Sequence, residues 1–248
     1  MTSIKTALTM LAAVSIGIPS TACQAAPTSK PPAAISRVKV GLDVTGIAKS
    51  MKIEFAPKDP YGQDDDILLN GSPAHDVIIF DGKKTKYGDN SFNEPHMLVY
   101  SVAEFRALFP KSTQPEFNEI IDNLKKITAA KSVKSVATMP ILPGSDGHEI
   151  LHAQEKLCNF KQGSGVSFIS VYGNGDPPVN ATDFFYTYQG LTTDGKYYVS
   201  FFWPIKATGL PKNLPLNKSK AYVRKLARAK FSPSLDVLDG VVSSISIQ

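Results

Sequence analysis

Cysteine is scarce in this 248-residue chain: there are two, Cys23 and Cys158. That excludes a disulfide-built scaffold. Long apolar runs are missing too. The most apolar stretch, Ala7 to Ile18, is too short to span a bilayer, which argues against a polytopic membrane protein. Glycine (17) and proline (18) are too few and too irregular for a fibrous or wholly disordered chain. Neither sign of charge dominates. The formal net charge of +5 does not by itself point to nucleic acid. No G-x-S-x-G elbow, P-loop or dinucleotide fingerprint occurs. What is present is 42% hydrophobic residues, enough for one ordinary core.

The N-terminus reads as an export address. Lys5 is the single charge of a short basic region, and Ala7 to Ile18 has the length of a signal-peptide core. Pro19 and Ser20 end it, and small residues follow. Two cleavages fit. Signal peptidase I would cut after Ala22 or Ala25. Alternatively, Ser20-Thr21-Ala22-Cys23 acts as a lipobox and Cys23 becomes the lipidated first residue, although a lipobox usually begins with Leu. The expected division is a signal peptide over 1–25, a proline-rich tether over 26–36 and one globular domain over 37–248. The expected location is the periplasm, the envelope through a lipid anchor, or the exterior. Cys158 is then alone and reads as a small buried hydrophobe.

Alternation of apolar and polar residues over Val38–Val44 and Met51–Phe55 predicts two strands. Val77–Phe80 and Met97–Tyr100 read as buried strands, and Pro57–Pro73 as a polar loop. Ser101–Glu104 and Thr113–Glu116 both have the form of a capping box opening a helix. The second helix carries Phe117, Ile120, Ile121, Leu124 and Ile127 on one face. Lys161–Gly165 reads as a turn before a strand over Val166–Tyr172. Phe184–Gln189 and Lys196–Trp203 flank Asp194-Gly195, a hairpin signal, and the hairpin is aromatic on both faces. Either it lies centrally and is covered on both sides, or one face is a binding surface that includes Tyr186, Tyr188, Tyr197 and Trp203. A basic helix over Lys218–Lys230 follows. A last helix begins near Ser232-Pro233 and buries Leu235, Leu238, Val241, Val242 and Ile245. The expected fold class is α+β: a single domain with a largely antiparallel β-sheet and helices packed on it.

His148-Glu149-Ile150-Leu151-His152 matches H-E-x-x-H. On a helix the two histidines would share a zinc ion and Glu149 would act as general base on its water. A third ligand is then needed. Cys158 lies six residues past His152, where one zincin class places a histidine, but the Gly of that class is replaced by Glu155. No Glu follows Glu155, and Asp176 and Asp183 stand in no matching motif. A helix would align Ile150, Ala153, Leu157 and Phe160. The direct run into Gly163-Ser164-Gly165 and a strand favours a hairpin instead. There the histidines would stand roughly 13 Å apart. The reading adopted is therefore no metal and no catalytic residue, with a zinc metallopeptidase of His148, Glu149, His152 and Cys158 as the alternative. His75-Asp76 and His96 read as structural or surface positions. Asp64-Asp65-Asp66 lacks the spacing of a calcium loop.

The run Gln189–Val199 with Tyr186-Thr187-Tyr188, Gly163–Val166, Phe105–Pro110, Leu142-Pro143 and His152-Ala153-Gln154 resembles an uncharacterised family of bacterial exported proteins and lipoproteins. The resemblance covers about half the mature chain. It implies an envelope address, and no activity or functional residues. His148 and Glu149 are not part of it.

Charge is unevenly distributed. Between Asp194 and Asp236 there is no acidic residue, while Lys196, Lys206, Lys212, Lys218, Lys220, Arg224, Lys225, Arg228 and Lys230 lie there. If Lys218, Lys220, Arg224, Lys225 and Arg228 share a face, they form a basic patch. An anionic envelope component or an acidic envelope protein fits it better than nucleic acid. The only membrane attachment expected is the N-terminal lipid. The leading expectation is a non-catalytic ligand- or protein-binding domain of the cell envelope.

Overall fold

The computed structural model of the protein describes residues 38–59, 71–85, 91–145, 147–175 and 178–248. The signal segment, the tether, Cys23, Asp64–Asp66 and Asp176 lie outside the described residues. Strands β2 (Met51–Ala56), β3 (His75–Phe80), β4 (His96–Ser101), β5 (His148–Phe160), β6 (Gly163–Gly173), β7 (Phe184–Thr192) and β8 (Tyr197–Ala207) form one sheet. Its order is β2-β3-β4-β8-β7-β6-β5, and every pairing is antiparallel. A two-residue strand β9 (Phe231–Ser232) adds to β8. Apart from the sheet, β1 (Val40–Gly41) pairs with β10 (Ser246–Ile247). The alternation over Val38–Val44 thus yields only two strand residues, because the partner β10 offers only two.

Among the described residues four α-helices cover the sheet, two on each face. Side chains on a strand alternate between faces. In β4, Met97 and Val99 join one apolar cluster, while Leu98 and Tyr100 join another. The second cluster is closed by α1 (Val102–Arg106) and α2 (Gln114–Ala130), through Phe105, Phe117, Ile121, Leu124 and Ile127. The first is closed by α3 (Leu216–Lys225) and α4 (Leu235–Ser244), through Val223, Leu235, Leu238, Val241 and Val242. The fold is α+β, an antiparallel sheet between two helical layers. Among the described residues no helix is long and apolar enough to cross a membrane.

This layering settles the aromatic hairpin. Every residue of β7 is buried, and Tyr186, Tyr188 and Trp203 are at most 8% exposed. Of the four aromatics named as a candidate surface, only Tyr197 is not fully buried, and it is half-buried. The surface reading is corrected: helices cover part of each face of the hairpin, and Phe92 with Ile141 and Tyr172 covers Phe185 and Phe202. The tyrosine hydroxyls find acceptors inside, Tyr186 at Asp239 (2.9 Å) and Tyr198 at Gln189 (2.6 Å). The turn is as expected. Gly195 has φ +69°, and the Asp194 carboxylate accepts from Thr192 Oγ1 (2.7 Å) and the Lys196 amide (3.1 Å). Those hydrogen bonds hold its pKa down at about 2.

The two capping boxes part company. Ser101 Oγ accepts from the Glu104 amide at 3.3 Å. Thr113 is in a helical conformation and caps nothing; its hydroxyl donates to Pro110 O instead. The basic helix is shorter than Lys218–Lys230: it ends at Lys225, and Arg228–Lys230 is a separate 3-10 turn. The turn expected over Lys161–Gly165 is also shorter, since β6 starts at Gly163. His75 and His96 are buried at strand starts, where each ring N–H donates to a carbonyl two residues back.

Candidate binding cleft

Residues 148–160 form a strand, β5, not a helix. The zinc reading loses the one-turn spacing it needs. His148 is exposed at the strand's start, and His152 is half-buried four residues on. Cys158 points into the core, 5% exposed, beside Ser167 Oγ at 3.4 Å. Burial pushes its thiol pKa up to about 11, the reverse of what a thiolate ligand needs. Among the described residues no three His, Cys, Asp or Glu side chains are placed to hold a metal ion.

What β5 builds instead comes from two irregularities in its pairing with β6. The register shifts between Glu149 and Leu151 and again between Ala153 and Lys156. Each is an extra residue that turns the strand. The first sets Glu149 and His152 on one face, where His152 Nδ1 bonds Glu149 Oε1 while its Nε2 lies 3.4 Å from Glu155 Oε1. The second puts Gln154 at φ +61°. Its side-chain amide donates to the carbonyls of Val223 (2.7 Å), Leu226 (2.9 Å) and Arg224 (3.3 Å). Those carbonyls lie at the end of α3, where Val223 O also accepts from the Leu226 amide, so the kink in β5 adds donors to the helix end and fixes it against the strand.

Between β5, the end of α3 and the 3-10 turn Val133–Ser135 lies an open cleft of about 760 Å³. Lys134, Lys156, Arg224 and Arg228 line it, with His152, Gln154 and Glu155 and an apolar wall of Val133 and Val136. Two of the four cations are anchored on Asp239 of α4, a carboxylate 5% exposed. Lys156 Nζ lies 2.8 Å from Asp239 Oδ2, and Arg228 Nη2 bonds the same oxygen. The Lys156 pKa is raised, first by that hydrogen bond, against the opposing cost of burial. Asp239 Oδ1 accepts from Tyr186 Oη (2.9 Å) and Ser167 Oγ (3.0 Å). Arg228 Nε also reaches Asp236 at 2.7 Å. Lys134 and Arg224 have no carboxylate within ion-pair distance among the described residues.

The basic patch is therefore divided. Arg224 and Arg228 line the cleft. Lys218, Lys220 and Lys225 do not, although Lys218 and Lys225 are exposed. The sequence reading missed Lys134, Lys156 and Asp239. Asp239 had a signal: it lies one residue past Leu238 and four past Leu235, on the stripe that α4 buries. A carboxylate on a buried stripe calls for a cation to meet it.

Comparison of the chain with family models, with curated proteins and with solved structures gives no match.

Proposed function

We propose that the protein is an exported cell-envelope protein whose folded part is a non-catalytic binding domain for an anionic envelope component. One observation carries the reading. Lys134 and Arg224, without carboxylate partners among the described residues, flank a cleft whose other two cations are pinned by the buried Asp239. Pinned cations lose little rotamer freedom when a ligand arrives, so more of the electrostatic gain is kept. The sequence of residues 1–26 supports export, through either the Cys23 lipid or simple cleavage.

The test uses two probes, inorganic phosphate and vesicles containing phosphatidylglycerol. Binding is expected to fall steeply with salt and to be lost in Lys134→Ala/Arg224→Ala. Lys218→Ala/Lys225→Ala, outside the cleft, is expected to leave phosphate binding unchanged. Retained binding in the first pair, or loss only in the second, would overturn the cleft as the site. Zinc is measured on the same samples. A stoichiometry near one per chain, lost in His152→Ala, would revive the metallopeptidase reading.

A further inference from the structure

α3 carries more cations than the cleft uses. Ser219 and Val223 are fully buried and mark the face of α3 that meets the fold. Lys218, Ala221 and Lys225, at i, i+3 and i+7, stand on the opposite face and are exposed. Arg224, one position before Lys225, turns toward the cleft that it lines. Tyr222 flanks the other side of the exposed face and is itself 37% exposed. Its hydroxyl donates to Gly209 O at 2.8 Å, which holds the ring in place and brings the loop before α3 alongside the helix. That loop carries Lys212, also exposed. The Thr208 amide donates to Lys230 O at 2.8 Å, so exposed Lys230 lies beside the same loop. Between Asp194 and Asp236 the chain has no acidic residue to interrupt these cations. Among the described residues Lys212, Lys218, Arg224, Lys225 and Lys230 have no carboxylate within ion-pair distance.

We propose, resting on the reading of the cleft as an anion site, that the outer face of α3 docks on an anionic phospholipid bilayer, so that the anion the cleft takes is a lipid headgroup. A small soluble anion would engage the cleft cations and leave Lys218, Lys225, Lys212 and Lys230 without a role. A layer of anionic headgroups meets the face and the cleft together, because Arg224 belongs to both. Each cation brought near such a surface strengthens binding by roughly fivefold. Long, flexible lysines without fixed partners suit a fluid array of charges better than a patterned protein surface. Tyr222 fits the same partner. A tyrosine ring with an exposed side among lysines is at home at the headgroup level, where an apolar body and a polar tip are both satisfied.

The test uses the protein carrying Cys23→Ser, so that an N-terminal lipid cannot do the binding. It is expected to bind vesicles of phosphatidylglycerol in phosphatidylcholine at about 0.1 M salt, and not vesicles of phosphatidylcholine alone. Lys218→Ala/Lys225→Ala should lower vesicle binding by at least about tenfold and leave binding of inorganic phosphate unchanged. Phosphate binding without vesicle binding would overturn the docking face and leave the cleft standing. Vesicle binding that ignores Lys218→Ala/Lys225→Ala would overturn it too. Vesicle binding that needs both lysines, with no phosphate binding, would support the face and count against the cleft. Poly-glutamate bound more tightly than the vesicles would make the occupant an acidic protein and overturn the bilayer. A second measurement removes no charge from the face. A polarity-sensitive fluorophore on Ala221→Cys should shift to the blue with phosphatidylglycerol vesicles, and one on Glu119→Cys, exposed on α2 across the sheet, should not. Equal shifts at both positions, or none at Ala221→Cys, would overturn the proposal.

Discussion

Asp239 stands where α4 would otherwise bury an aliphatic side chain, and its four hydrogen-bonding partners come from four other elements of the chain, β5, β6, β7 and the 3-10 turn Arg228–Lys230. Tyr186 and Ser167 are buried with it, whereas the Lys156 side chain is 48% exposed and that of Arg228 23%. That difference ranks the contributions. Removing Lys156 leaves a carboxylate still held by three donors, and its half-exposed ion pair is screened, so Lys156→Met should cost about 1 kcal/mol. Asp239→Asn leaves Tyr186 and Ser167 an acceptor but strips the charge opposite Arg228 inside the fold. It should cost about 2–4 kcal/mol. Urea unfolding of the two variants reads the difference. Equal effects would show that the network is not centred on the carboxylate.

Helix ends give a sharper test at the scale of the element, because two similar tetrapeptides behave differently. Ser101→Ala removes a hydroxyl that satisfies the Glu104 amide and should cost about 1 kcal/mol. Thr113→Ala removes a hydroxyl that serves no helix amide and should cost less than about 0.5 kcal/mol. Thermal melts of both variants decide it; a large loss in Thr113→Ala would mean that this hydroxyl does cap α2. The same contrast shows what was legible in the sequence. Periodicity located α2, since burial of a face is written in residue spacing, and the Asp194-Gly195 turn between two aromatic runs located the hairpin. The Thr113 cap was not legible, because capping depends on a backbone conformation that Thr113 does not adopt. The bulges of β5 were not legible either. They depend on how two strands slide past each other, and the cleft depends on them. Its cations at 134, 156, 224 and 228 meet only after β5 kinks and Gln154 ties α3 to it.

At the scale of the whole molecule, the central strands belong to both layers. β8 sends Val199, Phe201 and Trp203 under α3 and α4, and Tyr198 under α1 and α2. Neither pair of helices can leave without exposing the same strands to water, so the folded part is expected to open as one unit. β5, an edge strand, is where such a unit would fray first. It is held there by the Gln154 cap and by the Lys156 tie to Asp239. Cys158, buried on β5, reports the outcome. In a Cys23→Ser background, its labelling by a thiol reagent requires opening, because the native thiol is covered and its pKa is raised to about 11 by burial. The opening free energy from labelling should match that of global unfolding within about 1 kcal/mol. A far cheaper opening would show that β5 detaches alone. The pH dependence has a fixed sign. The thiol's folded pKa lies above its ordinary value of 9.0, so its contribution to stability is complete below about pH 9. It is lost as pH rises through about 11. Cys158→Ala, which cannot ionise, should therefore lose less stability than wild type between those two values.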